Sequence, residues 1–530
     1  MTCSTVKSFA MFLPSLLGVF ALLSAASGME PVTSIGDEAL HYHLMHPGDQ
    51  SWPEDPRLAF TGDPNAGYHL DGIYHLHYIF KTKWQGKLSF AYAHVTSRDM
   101  LHWDWQPTKL KPSFTGHGMF SGTGFLTKDG RPAMIYHGQG SGRNWITVAK
   151  DRQLSAWEKP VAIEPVNSDG SPFEAKSYWD PDLFVIGDTY YSISGGGETP
   201  LFKSTDLETW TYVGPFLSHE PENVTKVEDV SCANFFPLGD SGKWMLLCIS
   251  HSHGCRYYLG EWDAEREQFV PESHHRMNWR PTGVAPHRGK PPQFALQHTD
   301  FFAPESLLTA DGRRVMWAWL PTLDLSLQGK TVQSLPRELR LGDDGTLRIM
   351  PLRELAALRG EAKVLENVTL DKMNGWGSYE NKVVTQLGGE AHEIRLTVAR
   401  KEANRNRLGL RVFAHESDPE LGVPIIVDPT TRTLQVGDTS ASFAVADLPE
   451  GEDLELRIFI DKYLIEVFAN DRQAVVNADL DGWRRKQRGV ALYAYGSPTT
   501  FKKLEIWTLS PTTAGFHEAT RNQIWKVETE

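Results

Sequence analysis

Cysteine is scarce in this chain: 4 in 530 residues, one of them, Cys3, near the N-terminus. The remaining three, Cys232, Cys248 and Cys255, are an odd number, so at most one internal pair can form. Their spacing fits no zinc-binding pattern, and small buried hydrophobes are the expected role. Positive charge is also in short supply. Lys and Arg number 53 against 66 Asp and Glu, a net charge of -13, which argues against nucleic acid as a partner. Long apolar runs are absent beyond the first residues, so the mature chain has no candidate membrane span. Low-complexity tracts and a sustained helical period are missing as well.

The one apolar run lies at the start. Residues 1–28 read as a signal peptide: Lys7, an apolar stretch from Phe9 to Leu23 broken only by Pro14 and Ser15, then Ala25-Ala26-Ser27-Gly28 as a cleavage zone. The run is shorter than the roughly 20 residues that a span prefers. A secreted or periplasmic protein is expected after its removal.

What the chain has in abundance is aromatic residues, 17 Trp, 16 Tyr and 25 Phe, and short strand-like runs between Gly, Pro, Asp and Asn clusters. At 530 residues, two domains are expected. Asp63-Pro64-Asn65 introduces one such run. Proline cannot donate to a central ladder, so Asp63 stands at a strand entrance. Asp180-Pro181-Asp182-Leu183-Phe184 repeats the layout, Ser231-Cys232-Ala233-Asn234-Phe235 and Ala303-Pro304-Glu305 keep its frame, and Ser121-Gly122-Thr123 is a weaker copy. With Asp63, Ser121, Asp180, Ser231 and Ala303 as equivalents, the steps are 58, 59, 51 and 72 residues. Five β-rich units at this period predict an all-β fold, a five-bladed β-propeller over 38–335. Its innermost strands line one axis and bring Asp63 and Asp180 together. Residues 336–360 read as a connector packing on both domains, through Leu347, Ile349, Leu352, Leu355 and Leu358. Strict alternation in Glu393–Val398 and Leu454–Ile460, with a hairpin turn at Asn470-Asp471, predicts a β-sandwich over 361–510. Residues 511–530 form a tail without a clear element.

Two carboxylates facing one basin of aromatic, His and Asn side chains suit carbohydrate hydrolysis. One attacks the anomeric carbon or activates water, a second group protonates the leaving oxygen, and aromatic faces hold the sugar. An isolated Asp-Pro-Asn is ordinary turn chemistry; its recurrence at Asp180 is what points to a site.

The chain resembles glycoside hydrolase family 32, the β-fructosidases (invertases, levanases and inulinases). Asp63-Pro64-Asn65 looks like the core of the family's Asn-Asp-Pro-Asn-Gly box. Trp84 and His94–Trp103 look like its His-Ala-x-Ser-x-Asp-Leu-x-His-Trp stretch, Phe120-Ser121-Gly122 its Phe-Ser-Gly box, and Asp180-Pro181 its Arg-Asp-Pro box. Arg314–Trp319 and Leu456–Asp461 with Ile465–Phe468 resemble its later signatures. The resemblance implies a retaining fructosidase acting on fructans or sucrose-like sugars. Asp63 would be the nucleophile, Asp180 the transition-state stabiliser and a glutamate the acid/base. Asn65, Trp84 and Phe120 would line the fructose pocket, with Ser121, Trp179 and Asp229 as further substrate contacts. No cofactor or metal is implied, and His251, His253, His274 and His275 read as polar surface.

Four positions depart from the family. Gly62 replaces its asparagine, Ile79 its glutamine, Trp179 its arginine and Ser231 the acid itself. Along a strand Asp229 shares the face of Ser231 and Glu228 does not. Glu228 has the longer arm and is the first choice for the acid, Asp229 the second and Glu305 the third. Two alternatives stay open: a glycosidase for another furanoside such as arabinan, and a non-catalytic sugar-binding propeller that has lost its acid.

Overall fold

The computed structural model describes residues 39–48, 50, 62–174, 178–251, 254–278, 301–321, 331–372, 378–478, 484 and 486–527. The segment read as a signal peptide and His253 lie outside them. Five four-stranded antiparallel sheets follow one another along the chain, over 64–106, 119–162, 179–215, 231–276 and 302–351. In each, the strand order in the sheet is the order in the sequence. The first strands are Pro64–Leu70, Met119–Leu126, Trp179–Ile186, Ser231–Pro237 and Phe302–Leu308. Each packs on the next, and the fifth packs on the first. The ring is closed, and the fold is a five-bladed propeller.

A belt of hydrogen bonds sews the blades together around the axis. Asn65 Oδ1 accepts from Gly122 N at 2.8 Å, and Thr123 Oγ1 donates to Asp182 Oδ1 at 2.7 Å. Asp182 Oδ2 accepts from Phe235 N at 2.7 Å, Asn234 Oδ1 from Ser306 N at 2.8 Å, and Glu305 Oε1 from Gly67 N at 2.9 Å. An unmet buried donor costs about 1–3 kcal/mol, and these side-chain acceptors meet the four N–H groups. The belt corrects the repeat frame. Asp182, Asn234 and Glu305 are equivalent, so Asp180 corresponds to Cys232 and Ala303. All three of those residues share a left-handed backbone, with φ of 42°, 46° and 48°. Ser231 is therefore the counterpart of Trp179, one residue before the position expected.

The fifth blade also extends further than expected. Arg337–Leu341 and Leu347–Pro351 are its third and fourth strands, so the stretch read as a connector belongs to the propeller up to residue 351. A short 3-10 helix, Arg353–Leu358, follows. Leu347, Ile349, Leu352, Leu355 and Leu358 all enter a core that holds side chains of both domains, among them Trp317, Phe459 and Phe468. Each such burial contributes about 1.5–3 kcal/mol.

Two six-stranded antiparallel sheets form the second domain. The alternating runs send every second residue into one core: Ile394, Leu396 and Val398 on one strand, Leu454, Leu456, Ile458 and Ile460 on its neighbour. Asn470 and Asp471 both adopt positive φ, 46° and 53°, in the three-residue turn that joins Ala469 to its partner Gln473. The tail is not featureless. Ala514–Asn522 is a helix, and the Trp525 ring beyond it sits 4.5 Å from His46 and 6.0 Å from Phe80, against the first blade. Cys232, Cys248 and Cys255 are free and buried.

Candidate active site

Asp63 immediately precedes the first strand of the first blade. Its carbonyl accepts from Ile79 N at 2.9 Å and from Asn65 Nδ2 at 2.6 Å, which pins the backbone on both sides. Its carboxylate accepts from Ser121 Oγ of the second blade at 2.5 Å. Asp180 enters the third blade in its left-handed conformation, a geometry that costs a side-chain-bearing residue about 1–3 kcal/mol and clusters at functional sites. Cys232 of the fourth blade lies between the two acids. Its Sγ is 4.0 Å from Asp63 Oδ2 and 3.6 Å from Asp180 Oδ2. The two carboxylates, 117 residues apart in sequence, thus share one sulfur neighbour. Burial, reinforced by the Asp180 charge, pushes Asp63 up to about 6, against the Ser121 hydrogen bond. Burial raises Asp180 as well, with the His251 charge pulling the other way.

These acids open into a cavity of about 730 Å³. Phe90, Phe120, Trp179 and Phe302 give it aromatic walls, with Ile79, His137 and His251 between them. Phe120 packs 5.1 Å from Phe90 and lies parallel to His137 at 6.3 Å. A linked set of polar groups closes the fourth-blade side. Trp179 Nε1 donates to Ser231 Oγ at 2.9 Å, and Ser231 Oγ donates to Asp229 Oδ2 at 2.9 Å. Asp229 Oδ2 also meets His251 Nδ1 at 2.6 Å, and Asp229 Oδ1 accepts from His251 N at 2.9 Å. Burial works to raise Asp229, but the contacts with His251 and Ser231 hold it down at about 2. Its partner His251 is raised: burial opposes the charge, but Asp229 outweighs burial, and Asp180 and Asp63 add to it.

Of the residues singled out from the sequence, Asp63, Asp180, Phe120, Ser121, Trp179 and Asp229 all line this cavity. Glu228 does not. Its carboxylate is buried in an ion pair with Arg276, Nε to Oε2 at 2.8 Å, and lies 3.6 Å from Arg256 Nη1. Burial would raise it, but the arginines and the Thr225 backbone hold it near 2. The pleat explains the outcome. Val230 bridges to Gly196, so the chain is already extended before Ser231; Asp229 takes the cavity face and Glu228 the opposite one. Length of arm does not overcome direction. Glu305 is spent on the belt, bonded to Gly67 N and to Asn234 Nδ2 at 3.1 Å. Asn65, 1% exposed, supports Asp63 from behind and does not face the cavity. Trp84 ends the second strand of the first blade and is not part of the wall; Phe90, on the next strand, takes that place.

The sequence reading passed over His251, which it placed on polar surface, and over Phe90, His137, Phe302 and Cys232. For Cys232 the signal was present, because the Asp-Pro frame shifted by one residue puts it in register with Asp180. His251 follows the second strand of its blade, and nothing local in the sequence marks it. No group of three or more His, Cys, Asp or Glu side chains placed to hold a metal occurs among the described residues.

The model of the glycosyl hydrolases family 32 N-terminal domain matches residues 55–351, and that of the family 32 C-terminal domain matches 354–508. The chain is 25% identical over 503 residues to sucrose-6-phosphate hydrolase of Escherichia coli, spanning 88% of this chain and 94% of that one. It is 23% identical over 500 residues to a levanase of Bacillus subtilis, covering 86% and 69%. Among solved structures, sucrose-6-phosphate hydrolase from Lactobacillus gasseri superposes with a TM-score of 0.67 at 18% identity, over 91% of this chain and 96% of that one. Fructan 1-exohydrolase IIa from Cichorium intybus does so at 0.66 and 18%, over 89% and 97%. At that identity the superpositions speak for the fold.

Proposed function

The chain belongs to glycosyl hydrolase family 32, and from that premise we propose that it is a secreted, retaining hydrolase of β-fructofuranosyl bonds in fructans or sucrose-like sugars. One observation carries the reading: Asp63 and Asp180 meet at Cys232 on the floor of an aromatic-walled cavity. Asp63, backed by Ser121 Oγ, attacks the anomeric carbon and forms a fructosyl-enzyme ester. Asp180 faces the positive charge that develops on the ring and stabilises it. Phe90, Phe120, Trp179 and Phe302 cover the apolar faces of the sugar. Protonation of the leaving oxygen falls to the Asp229–His251 side, since position 231 is serine. Residues 1–28 support export, and the N-terminus of exported protein should lie just beyond Gly28.

The test is incubation with levan, inulin, sucrose and, as the competing furanoside, arabinan, with released monosaccharides quantified. Fructose release that falls by about four orders of magnitude in Asp63→Asn is the expected result. Release of arabinose alone, or sugar binding without turnover that Asp63→Asn leaves unchanged, overturns the proposal.

A further inference from the structure

Serine at position 231 leaves the retaining reaction without a carboxylic acid where the resemblance called for one. The Ser231 hydroxyl cannot supply the proton, being 0% exposed and already donating to Asp229. Asp229 cannot supply it either. Both its oxygens accept hydrogen bonds from His251, and one accepts from Ser231 as well, so it is held as the carboxylate. Glu228 faces Arg276 and Arg256, and Glu305 closes the ring. Among the described fourth-blade residues that line the cavity, Cys232 is held between Asp63 and Asp180 with its thiol pushed up by burial, and the other titratable side chain beside Asp229 is the imidazole of His251. Its Nδ1 is committed to Asp229, its ring stands 6.0 Å edge-on from Phe302, and it lines the cavity together with Asp63 and Asp180.

We infer that His251 is the acid/base of this site, with Asp229 the positioning residue that fixes its ring and its tautomer. The inference rests on the fructosidase reading above. As Asp63 closes its C–O bond to the anomeric carbon, the bond to the leaving oxygen breaks. That oxygen keeps the electron pair and takes the proton from His251 Nε2. In the second half, water gives a proton back to Nε2 as its oxygen displaces Asp63, which leaves as carboxylate. The groups that set the charge of His251 are Asp229 from its own blade, Asp180 from the third blade and Asp63 from the first. His137 of the second blade faces the same cavity, and the fifth blade contributes the uncharged Phe302. All three carboxylates favour the imidazolium.

The test pairs two substrates, sucrose and β-D-fructofuranosyl fluoride, whose leaving group needs no full proton. For His251→Gln, kcat/KM on sucrose is expected to fall about a hundred- to ten-thousand-fold, with kcat/KM on the fluoride, which reports the first half alone, within a few-fold of wild type. On the fluoride kcat falls, because water has lost its base, and azide should restore it by attacking the fructosyl-enzyme, giving fructosyl azide of retained configuration. Asp229→Asn should move the alkaline limb of the sucrose pH profile downward, as removal of the carboxylate lowers the imidazolium pKa. Wild-type sucrose turnover in His251→Gln overturns the inference, as do equal losses of kcat/KM on both substrates. A fluoride-sparing loss larger in Asp229→Asn than in His251→Gln names Asp229 as the donor and overturns it too. In all three cases the fructosidase reading survives. A wild type that releases fructose from neither substrate overturns that reading, and the inference with it.

Discussion

Ser121 decides how early Asp63 ionises. Burial and the Asp180 charge push that carboxyl up to about 6, and the Ser121 hydroxyl is the first-named group working against them. A nucleophile must be ionised, so the acidic limb of kcat/KM is expected near pH 6 and activity falls as pH drops through it. A hydrogen bond to a charged group is worth about 1.5–3 kcal/mol, which equals a change of about one to two pH units. Ser121→Ala should therefore shift the limb upward by about that amount, and at neutral pH the rate should fall about two- to tenfold. A pH-rate profile on the fluoride substrate checks this, because the alkaline limb then drops out. An unmoved acidic limb shows that Asp63 does not depend on Ser121. Glu228→Gln belongs to the same scale and to a different outcome. Its partners are Arg276 and Arg256, so it should lower stability and spare the leaving-group dependence of turnover.

Between blades, the decisive element is the belt at the strand entrances. Glu305 joins the fifth blade to the first and also takes a bond from Asn234. Burial pushes it from 4.5 up to about 8. The folded protein then holds a proton that the unfolded chain has released anywhere between those two values. Stability contributed by this group is full below about pH 4.5 and declines as pH rises toward about 8. Glu305→Gln cannot titrate. The difference in unfolding free energy between wild type and variant should shrink over that window and stay level outside it, as read from denaturant curves at a series of pH values. A difference that is flat throughout places an ionised carboxylate in the ring. The same element explains a glycine. A Cβ on Gly122 would stand 1.9 Å from Ile135 O, so the close pairing of the first two strands of the second blade tolerates no side chain there.

Across the whole molecule, the domains are joined by a buried polar cluster. Arg337 Nη2 of the fifth blade meets Glu466 Oε2 of the sandwich at 2.7 Å, both side chains fully buried. His43 bridges Asp461 at 2.8 Å and Glu466 at 3.2 Å. Asp461 also accepts from the backbone N–H groups of His41, Tyr42 and His43. Removing one member of such a pair strands the other charge, so Arg337→Leu should cost about 3–5 kcal/mol in denaturant unfolding. A loss below about 1 kcal/mol contradicts a coupled interface. For His43, burial opposes the charge but Asp461 and Glu466 win, raising it from 6.5 to about 9. Its contribution is complete below about pH 6.5 and is lost as pH climbs through about 9. The gap in Tm between wild type and His43→Gln should close over that interval.

Much of this could be read from residue order alone. Period-two alternation placed the sandwich strands, because a slip of one residue would turn the whole apolar row to the other face. The recurrence of an acid before proline announced both the blades and the meeting of Asp63 with Asp180, because a closed ring of like units brings like positions to one axis. The identity of the proton donor was of another kind. Glu228 and Asp229 are adjacent, and only the direction of the extended chain beside Gly196 sends one toward the arginines and the other into the cavity. The last strands of the fifth blade looked like a linker because their leucines face a core shared with the second domain. His251 had no local mark at all: its partner Asp229 lies 22 residues upstream, and the two meet because a hairpin folds one strand's approach against the turn at the end of the next. Local pattern fixes which face a side chain takes; what stands opposite that face is decided by strands that arrive from elsewhere in the chain.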